Sequence, residues 1–445
     1  MSHLLALLLA SAIDGEGALR HASALAALGP HPWGSPRNQA AAQYVAAELR
    51  QAGLAAVELQ GFESHGVRGT NVVATLRGPS DEIVVVCAHH DTAPESPGAY
   101  DDGGGVGVLV EVARVVAGQP LRARTFAFAS FDGEEADAGG RGTTVGSRAW
   151  IERLGIGARR IVAVLAIEMS GWSGGTPLAH PIAYADPRRK GATVVSPAWL
   201  VDAALAGSRE AGSPLGVGDP WLSWVYQPAV RVFRVRQHGD DLSFLQAGHP
   251  ALMLSDSSFS AYYPHYHQAS DTADKLDAAA LERMGTAVLG AARALDRAPR
   301  GGAGETRWFA AFGEIVGPVA LLAAGAASVL PGLRAGFATG GPGLAARLLQ
   351  AALFGVLLWR HTVAALFVFL LPNVLPPLRR ARWVTLASLA PLCSLVALGA
   401  AAWWRGAVEG VWLAPWEMAV GLGALVLAFL RPPGGRTARR KRSRR

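Results

Sequence analysis

Apolar residues recur along the chain in two periods, and the pattern changes near residue 300. Continuous apolar runs at 83–88, 125–131, 161–167, 230–235 and 250–254 are bounded by polar clusters or glycines. Runs of that length, rich in Val, Ile, Leu and Phe, predict strands buried on both faces. Shorter runs at 57–59 and 71–76 read as further strands. Between them, 38–53, 106–116, the stretch around 147–151, 197–206 and 277–295 carry apolar residues at helical spacing. Asn38 stands where a helix cap is expected, and Gly53 where that helix would stop. The segment 207–226, with Trp221 and Trp224 among glycines and prolines, reads as a long loop. Strand and helix alternate, which predicts an α/β fold: a mixed, mostly parallel sheet covered by helices on both faces.

From Trp308 onward the pattern loses its polar half. Apolar spans stand near 311–330, 383–404 and 411–430, and a longer one, 344–376, is interrupted by Arg360-His361. A bilayer core needs roughly 20 apolar residues, so 344–376 falls between one crossing and two. The expected organisation is a short apolar segment at 1–13, a domain at 14–300, a multi-span α-helical transmembrane domain at 308–430 and a basic tail at 431–445. Residues 3–12 are too short to span a bilayer. They resemble a signal-peptide core without the basic lead, or a buried helix.

Charge adds one point. The net charge is +7, but the tail from Arg431 holds eight basic residues and no acid, leaving the rest near neutrality. No nucleic-acid surface is expected on the body. A basic end beside a membrane span fits anionic lipid on the cytoplasmic side. Cys87 and Cys393 lie in different regions, so no disulfide is expected and the redox compartment stays open.

Several predicted strands end in metal-type residues. The run 83–88 ends at His89-His90-Asp91, the run 125–131 is followed by Glu134-Glu135, and 161–167 by Glu168; Asp240 follows 230–235. Asp101 and His267 lie in loops able to fold over that edge. In a sheet of parallel strands, such an edge is where ligands collect. Imidazoles and carboxylates without thiolates suit zinc, with manganese or cobalt as substitutes. One His and two carboxylates per ion, one carboxylate shared, would hold two ions. His89 and Asp91 point to one side of a strand, so Asp91 is placed to accept from the free ring nitrogen of His89. At a strand-to-loop turn both Glu134 and Glu135 can face the site, one as a ligand and one as a base.

These motifs, in this order, resemble the M28 family of zinc metallopeptidases, aminopeptidases with a co-catalytic dizinc site. The resemblance runs from Pro30 to about Leu276. It rests on Pro30-His31-Pro32 with Gly34-Ser35 and Asn38, His89-x-Asp91, Pro97-Gly98-Ala99-Tyr100-Asp101-Asp102, Gly133-Glu134-Glu135 with Gly146-Ser147, Glu168, and Tyr266-His267 followed by Ser270-Asp271-Thr272. It implies His89 and Glu168 on one zinc, Glu135 and His267 on the other, and Asp101 between them. Glu134 would be the general base and Asp91 the group orienting His89. Asp240 falls where the family often has Ser-Asp-His, but Asp241 replaces the His. Glu168 stands where many members have Asp, a feature similar to the membrane-anchored, endoplasmic-reticulum-type branch.

The resemblance implies a peptide substrate and hydrolysis at the amino end. Two alternatives stand beside it: a glutaminyl cyclase-like acyltransferase with one zinc, and a non-catalytic receptor or complex subunit with a peptidase-like domain. Arg231, Arg234 and Arg236 could meet a substrate carboxylate, but a solvated strand face is the better explanation of them. His31, His90, His238, His249 and His265 receive no role. The expected setting is a multi-pass protein of a bacterial inner membrane, with the site outside the cytoplasm and the tail inside. Oligomeric state and side-chain preference are not legible.

Overall fold

The computed structural model describes residues 12–119, 123–135, 142–182, 184–185, 188, 193–218, 239–257 and 262–299, with the backbone of two short strands beyond them. The expected strand at 230–235, the Trp221–Trp224 loop, the three arginines at 231–236, His238, the apolar spans and the basic tail lie outside the described residues. So do residues 1–11. The chain divides into two compact units, Met1–Ile315 and Val316–Arg445. Among the described residues no helix is long and apolar enough to cross a membrane. At the head of the first expected span, Phe309–Ala311 and Glu314–Val316 pair as two short strands, β11 and β12.

The first unit is built on an eight-stranded sheet. In chain order its strands are β1 (Ala56–Ser64), β2 (Val67–Leu76), β3 (Ser80–His89), β4 (Arg124–Phe131), β5 (Ile161–Ile167), β6 (Leu178–His180), β9 (Gly216–Val217) and β10 (Ala251–Ser255). A separate small pair joins β7 (Tyr184–Ala185) to β8 (Thr193–Val194). The sheet order is β1-β2-β4-β3-β5-β10-β6-β9. The central four, β4-β3-β5-β10, are parallel, and antiparallel strands flank them on both sides. The mixed, mostly parallel sheet expected from the pattern is present.

Side-chain alternation explains why the centre must be covered twice. Along β3, Val84, Val86 and Ala88 join one core, and Val85 and Cys87 join the other. The first core is closed by helices α1 (Gly15–Ala26), α2 (Pro36–Gln51), α3 (Gly105–Ala117), α5 (Ala198–Glu210) and α7 (Ala278–Arg297). Trp150 of α4 (Val145–Leu154) and Leu242, Phe244 and Leu245 of α6 (Asp240–Ala247) close the second. Phe128, fully buried, stands in the first core; truncating such a ring costs about 3–5 kcal/mol.

Three local expectations are corrected. Helix α2 is capped by Ser35, whose Oγ accepts from the Asn38 amide at 3.1 Å, with Pro36 at the first helical position. A Ser-Pro pair supplies both the acceptor and the preset φ, so the helix starts before Asn38. Helix α1 has no counterpart in the sequence reading, because Gly15 and Gly17 weaken its helical signal. It is held by tertiary contacts: the Asp14 amide donates to Glu111 Oε2 at 3.0 Å, and Ile13 is buried. The expected loop from 207 is partly ordered structure, since α5 runs to Glu210 and β9 follows.

Candidate metal centre

Every central strand delivers a functional side chain to the same edge. His89 is the last residue of β3. β4 ends at Phe131, and Gly133 then turns the chain with φ +68°. A Cβ there would sit 2.5 Å from Val145, so only glycine makes this turn. That turn lets two consecutive glutamates, Glu134 and Glu135, face one site. Glu168 follows β5 directly, and His267 sits in the loop after β10. Asp101 lies in the kinked segment Ala99–Gly104 just before α3, with non-helical backbone at φ −117° and ψ 90°. Asp240 opens α6 as its first residue, and the strand expected before it lies outside the described residues.

The candidate ligating atoms converge. His89 Nε2 lies 3.3 Å from Asp101 Oδ1 and 3.5 Å from Glu168 Oε2. His267 Nε2 lies 3.0 Å from Asp101 Oδ2 and 2.5 Å from Glu135 Oε1. Asp101 thus offers one oxygen to each imidazole. Yet His89 Nε2, His267 Nε2 and Asp101 Oδ2 are buried without a hydrogen-bond partner. Buried polar atoms that crowd together without bonding are what ligands around a common cation look like. Two groups suited to an ion emerge: His89 with Glu168 and Asp102, and Asp101 with Glu135 and His267.

Asp102 was not singled out in the sequence. Its oxygens accept from the His89 amide at 3.3 Å and the Gly105 amide at 3.1 Å, so it serves to hold β3 and α3 together. Asp91 stands beside His89 as expected: its Oδ1 lies 3.5 Å from His89 Nδ1, and its backbone carbonyl is 3.1 Å from the same nitrogen. The same carboxylate also takes backbone donors: Oδ1 accepts from the Glu134 amide at 3.1 Å and Oδ2 from the Glu135 amide at 3.0 Å. A carboxylate has lone pairs enough for two N–H donors at a tight turn and the imidazole together.

Glu134 belongs to neither ligand group. Its Oε1 accepts from the Gly239 amide at 2.6 Å. Gly239 has φ +109°, and a Cβ there would strike Asp241 and Met253 within 2.6 Å. His267 is also held in the left-handed region, at φ +59°, with the Tyr266 ring stacked on it at 3.7 Å. Asp240 is buried with both carboxylate oxygens unpartnered, and its amide donates to Glu168 Oε1 at 3.4 Å.

Electrostatics agree with the geometry. Burial pushes Glu135 up to about 8 and Glu168 up to about 7. Burial would lower both histidines, but neighbouring carboxylates outweigh it. Asp101, Asp91 and Glu168 raise His89 well above its usual value, and Asp101 and Glu135 raise His267 to about 10. An edge so rich in buried carboxylate favours positive charge close to it. The donor set of imidazole and carboxylate oxygen suits zinc.

Residues 71–292, which contain all of these side chains, match the family model described as Peptidase family M28. This domain belongs to peptidase family M28. It is a metallopeptidase domain of the hydrolase class. The chain is 26% identical over 258 residues to leucine aminopeptidase 1 of Metarhizium robertsii, covering 55% of this chain and 59% of that one. It is 25% identical over 238 residues to endoplasmic reticulum metallopeptidase 1 of Mus musculus, covering 52% and 23%. The chain therefore spans less than two thirds of the length of these relatives. The M28 domain has the fold of the aminopeptidase from Aneurinibacillus sp. strain AM-1: TM-score 0.51, 16% identity, 66% of this chain and 96% of that one. The glutaminyl cyclase of Fimbriiglobus ruber shares that fold, with TM-score 0.50, 20% identity, 63% of this chain and 95% of that one, so fold alone does not choose the reaction.

The sequence reading left Asp256 and Asp271 without roles. Asp271 accepts from the amides of Tyr100 at 2.9 Å and Asp101 at 3.3 Å. Asp256 accepts from the Tyr100 hydroxyl at 2.6 Å. Their positions after His267 and at the end of β10 are visible in the sequence, but Tyr100, Asp101 and Gly171, which they bond, lie more than 80 residues away.

Proposed function

We propose that this chain is a membrane-bound, zinc-dependent aminopeptidase acting through two ions. The observation that carries it is the split between the two adjacent glutamates. Glu135 joins the second ligand group, whereas Glu134 joins neither and is fixed by its own amide on Asp91 and its Oε1 on Gly239.

His89, Glu168 and Asp101 would hold one ion, and Asp101, Glu135 and His267 the other. Ions so held would supply Lewis acidity at the scissile carbonyl and lower the pKa of an attacking water. Glu134 then takes the proton of that water on its carboxylate and returns it to the leaving amine nitrogen. Asp91 keeps both glutamates at the turn, and Tyr266 keeps the His267 ring in place. Buried Asp240 and Glu168 make the surroundings attractive to a free α-amino group, in keeping with the aminopeptidase named among the relatives. A one-ion cyclase would need only one ligand group. The presence of all seven assigned side chains at one edge argues against a degenerate, non-catalytic domain.

The bilayer is reached through the spans at 311–330, 344–376, 383–404 and 411–430, with the Arg-rich tail in the cytoplasm. Two crossings by 344–376 would place the M28 domain on the opposite side, since Arg360 in mid-membrane is costly. Hydrolysis of aminoacyl amides by metal-loaded full-length protein, abolished by a chelator and restored by zinc, tests the activity. Cyclisation of N-terminal glutamine without amide hydrolysis would favour the acyltransferase.

A further inference from the structure

Tyr100 precedes Asp101 and is fully buried, yet both of its polar ends are satisfied by carboxylates from opposite sides of the site. Its amide donates to Asp271 Oδ1 at 2.9 Å, and its hydroxyl donates to Asp256 Oδ1 at 2.6 Å. Asp271 sits in the loop that carries His267, and its Oδ2 also accepts from the Asp101 amide at 3.3 Å. Asp256 faces the other way. Its Oδ2 accepts from the Gly171 amide at 2.6 Å and the Trp172 amide at 3.1 Å, in the turn that follows Glu168. The Tyr100 ring packs on Tyr263 with centroids 4.1 Å apart, and the Tyr263 hydroxyl donates to Asp271 Oδ1 at 3.0 Å.

We infer that Tyr100 is a positioning residue, a strut whose hydroxyl bond to Asp256 sets the distance between the two ligand groups. A phenol has few rotatable bonds, so its oxygen is fixed relative to the backbone that carries Asp101. At its amide end Asp271 ties that backbone to the His267 loop. At its hydroxyl end Asp256 ties it to the Glu168 turn. Without the hydroxyl, Asp256 still holds the turn at Gly171 and Trp172, and Asp271 still holds Asp101, but the tie from the backbone of Tyr100 and Asp101 to that turn is lost. What still links the turn to the segment after His267 is more distant from the ligands: the Asp277 amide donates to the Gly171 carbonyl at 2.8 Å. The first ion to load can choose the better half and relax it. The second must accept whatever spacing remains, so the loss falls on the second ion. The inference rests on the two-ion reading given above.

The test is Co2+ titration of the metal-stripped full-length protein in detergent. Stepwise dissociation constants come from visible absorption, and spin coupling between two ions from electron paramagnetic resonance. Tyr100→Phe is expected to weaken the second ion about tenfold, within the range typical of lost outer hydrogen bonds, and to leave the first unchanged. The spin-coupled signal should diminish at matched loading. Tyr263→Phe removes a hydroxyl from the same Asp271 without touching Asp256, and should load both ions like the wild type. Asp256→Ala removes the partner of the hydroxyl and also frees the turn after Glu168, so it should weaken the second ion at least as much as Tyr100→Phe, and it serves if that variant does not fold. Wild-type loading in Tyr100→Phe, or an equal loss in Tyr263→Phe, would overturn the strut. A wild type that binds one ion overturns the two-ion reading itself, and that result is seen before any variant is made.

Discussion

Asp91 accepts the backbone N–H of Glu135 through Oδ2 at 3.0 Å, while its Oδ1 takes the neighbouring Glu134 amide. One fully buried carboxylate therefore aims a candidate ligand and a candidate base together. In Asp91→Asn the amide group would present N–H to N–H at one of these positions. Metal affinity should fall by about 10–100-fold, with the far-ultraviolet circular dichroism unchanged. Zinc content after dialysis against a buffered zinc pool measures it. Wild-type zinc in the variant would show that the clamp does not aim Glu135.

Glu134→Gln separates chemistry from binding. The substitution keeps an acceptor for the Gly239 amide but cannot take a proton. Turnover should fall by about 10²–10⁴ while zinc content stays at the wild-type level. His89→Ala and Asp101→Ala should instead lose zinc. Active Glu134→Gln protein would remove this residue from the mechanism.

Metal loading should depend on pH with a definite sign. Burial raises Glu135 to about 8 and Glu168 to about 7 in the metal-free protein, so both take up protons as pH falls through those values. Ions bind the deprotonated forms, so binding near neutrality releases protons and apparent affinity declines with falling pH. Calorimetric titration of zinc in buffers of different ionisation enthalpy counts the protons. Buffer-independent heats would contradict the expectation.

His90 supplies a stability prediction independent of metal. It is buried with Nδ1 2.9 Å from Ser130 Oγ, and burial lowers it to about 4. The unfolded chain takes the proton near 6.5 while the folded one does not, so between these values stability rises with pH. Going from pH 7 to pH 5 should cost roughly 2 kcal/mol through this group. Denaturant unfolding of metal-free protein at both pH values measures the slope, and His90→Gln should flatten it. An equal slope in the variant would assign the effect elsewhere.

The side of the membrane is decided by a single cysteine. Gly301→Cys, in a chain with Cys87 and Cys393 replaced, should react with an impermeant maleimide in intact cells. That outcome fits two crossings by 344–376 and a cytoplasmic tail. Reaction only after lysis would place the M28 domain in the cytoplasm and give 344–376 one crossing.

The sequence by itself determined the buried strands and the order of the ligands along them. β5 was legible to the residue, because a run of seven apolar side chains, four of them β-branched, is too short for a core helix and fits a strand covered on both faces. His89, Glu134, Glu135 and Glu168 were legible because each stands at or just past a strand end, where the polar residue interrupts an apolar run. Tertiary structure decided what those side chains do to one another. Helix α1 escaped notice because its glycines mask it and Glu111, far along the chain, docks its start. Asp91 takes the amides at 134 and 135 as well as the adjacent imidazole, since the turn at Gly133 brings two donors to it. Asp256 and Asp271 look like ordinary loop acids until the sheet closes and places Tyr100 between them. Periodicity reports which face a residue occupies; it carries nothing about partners a hundred residues away, and those partners set the geometry of this site.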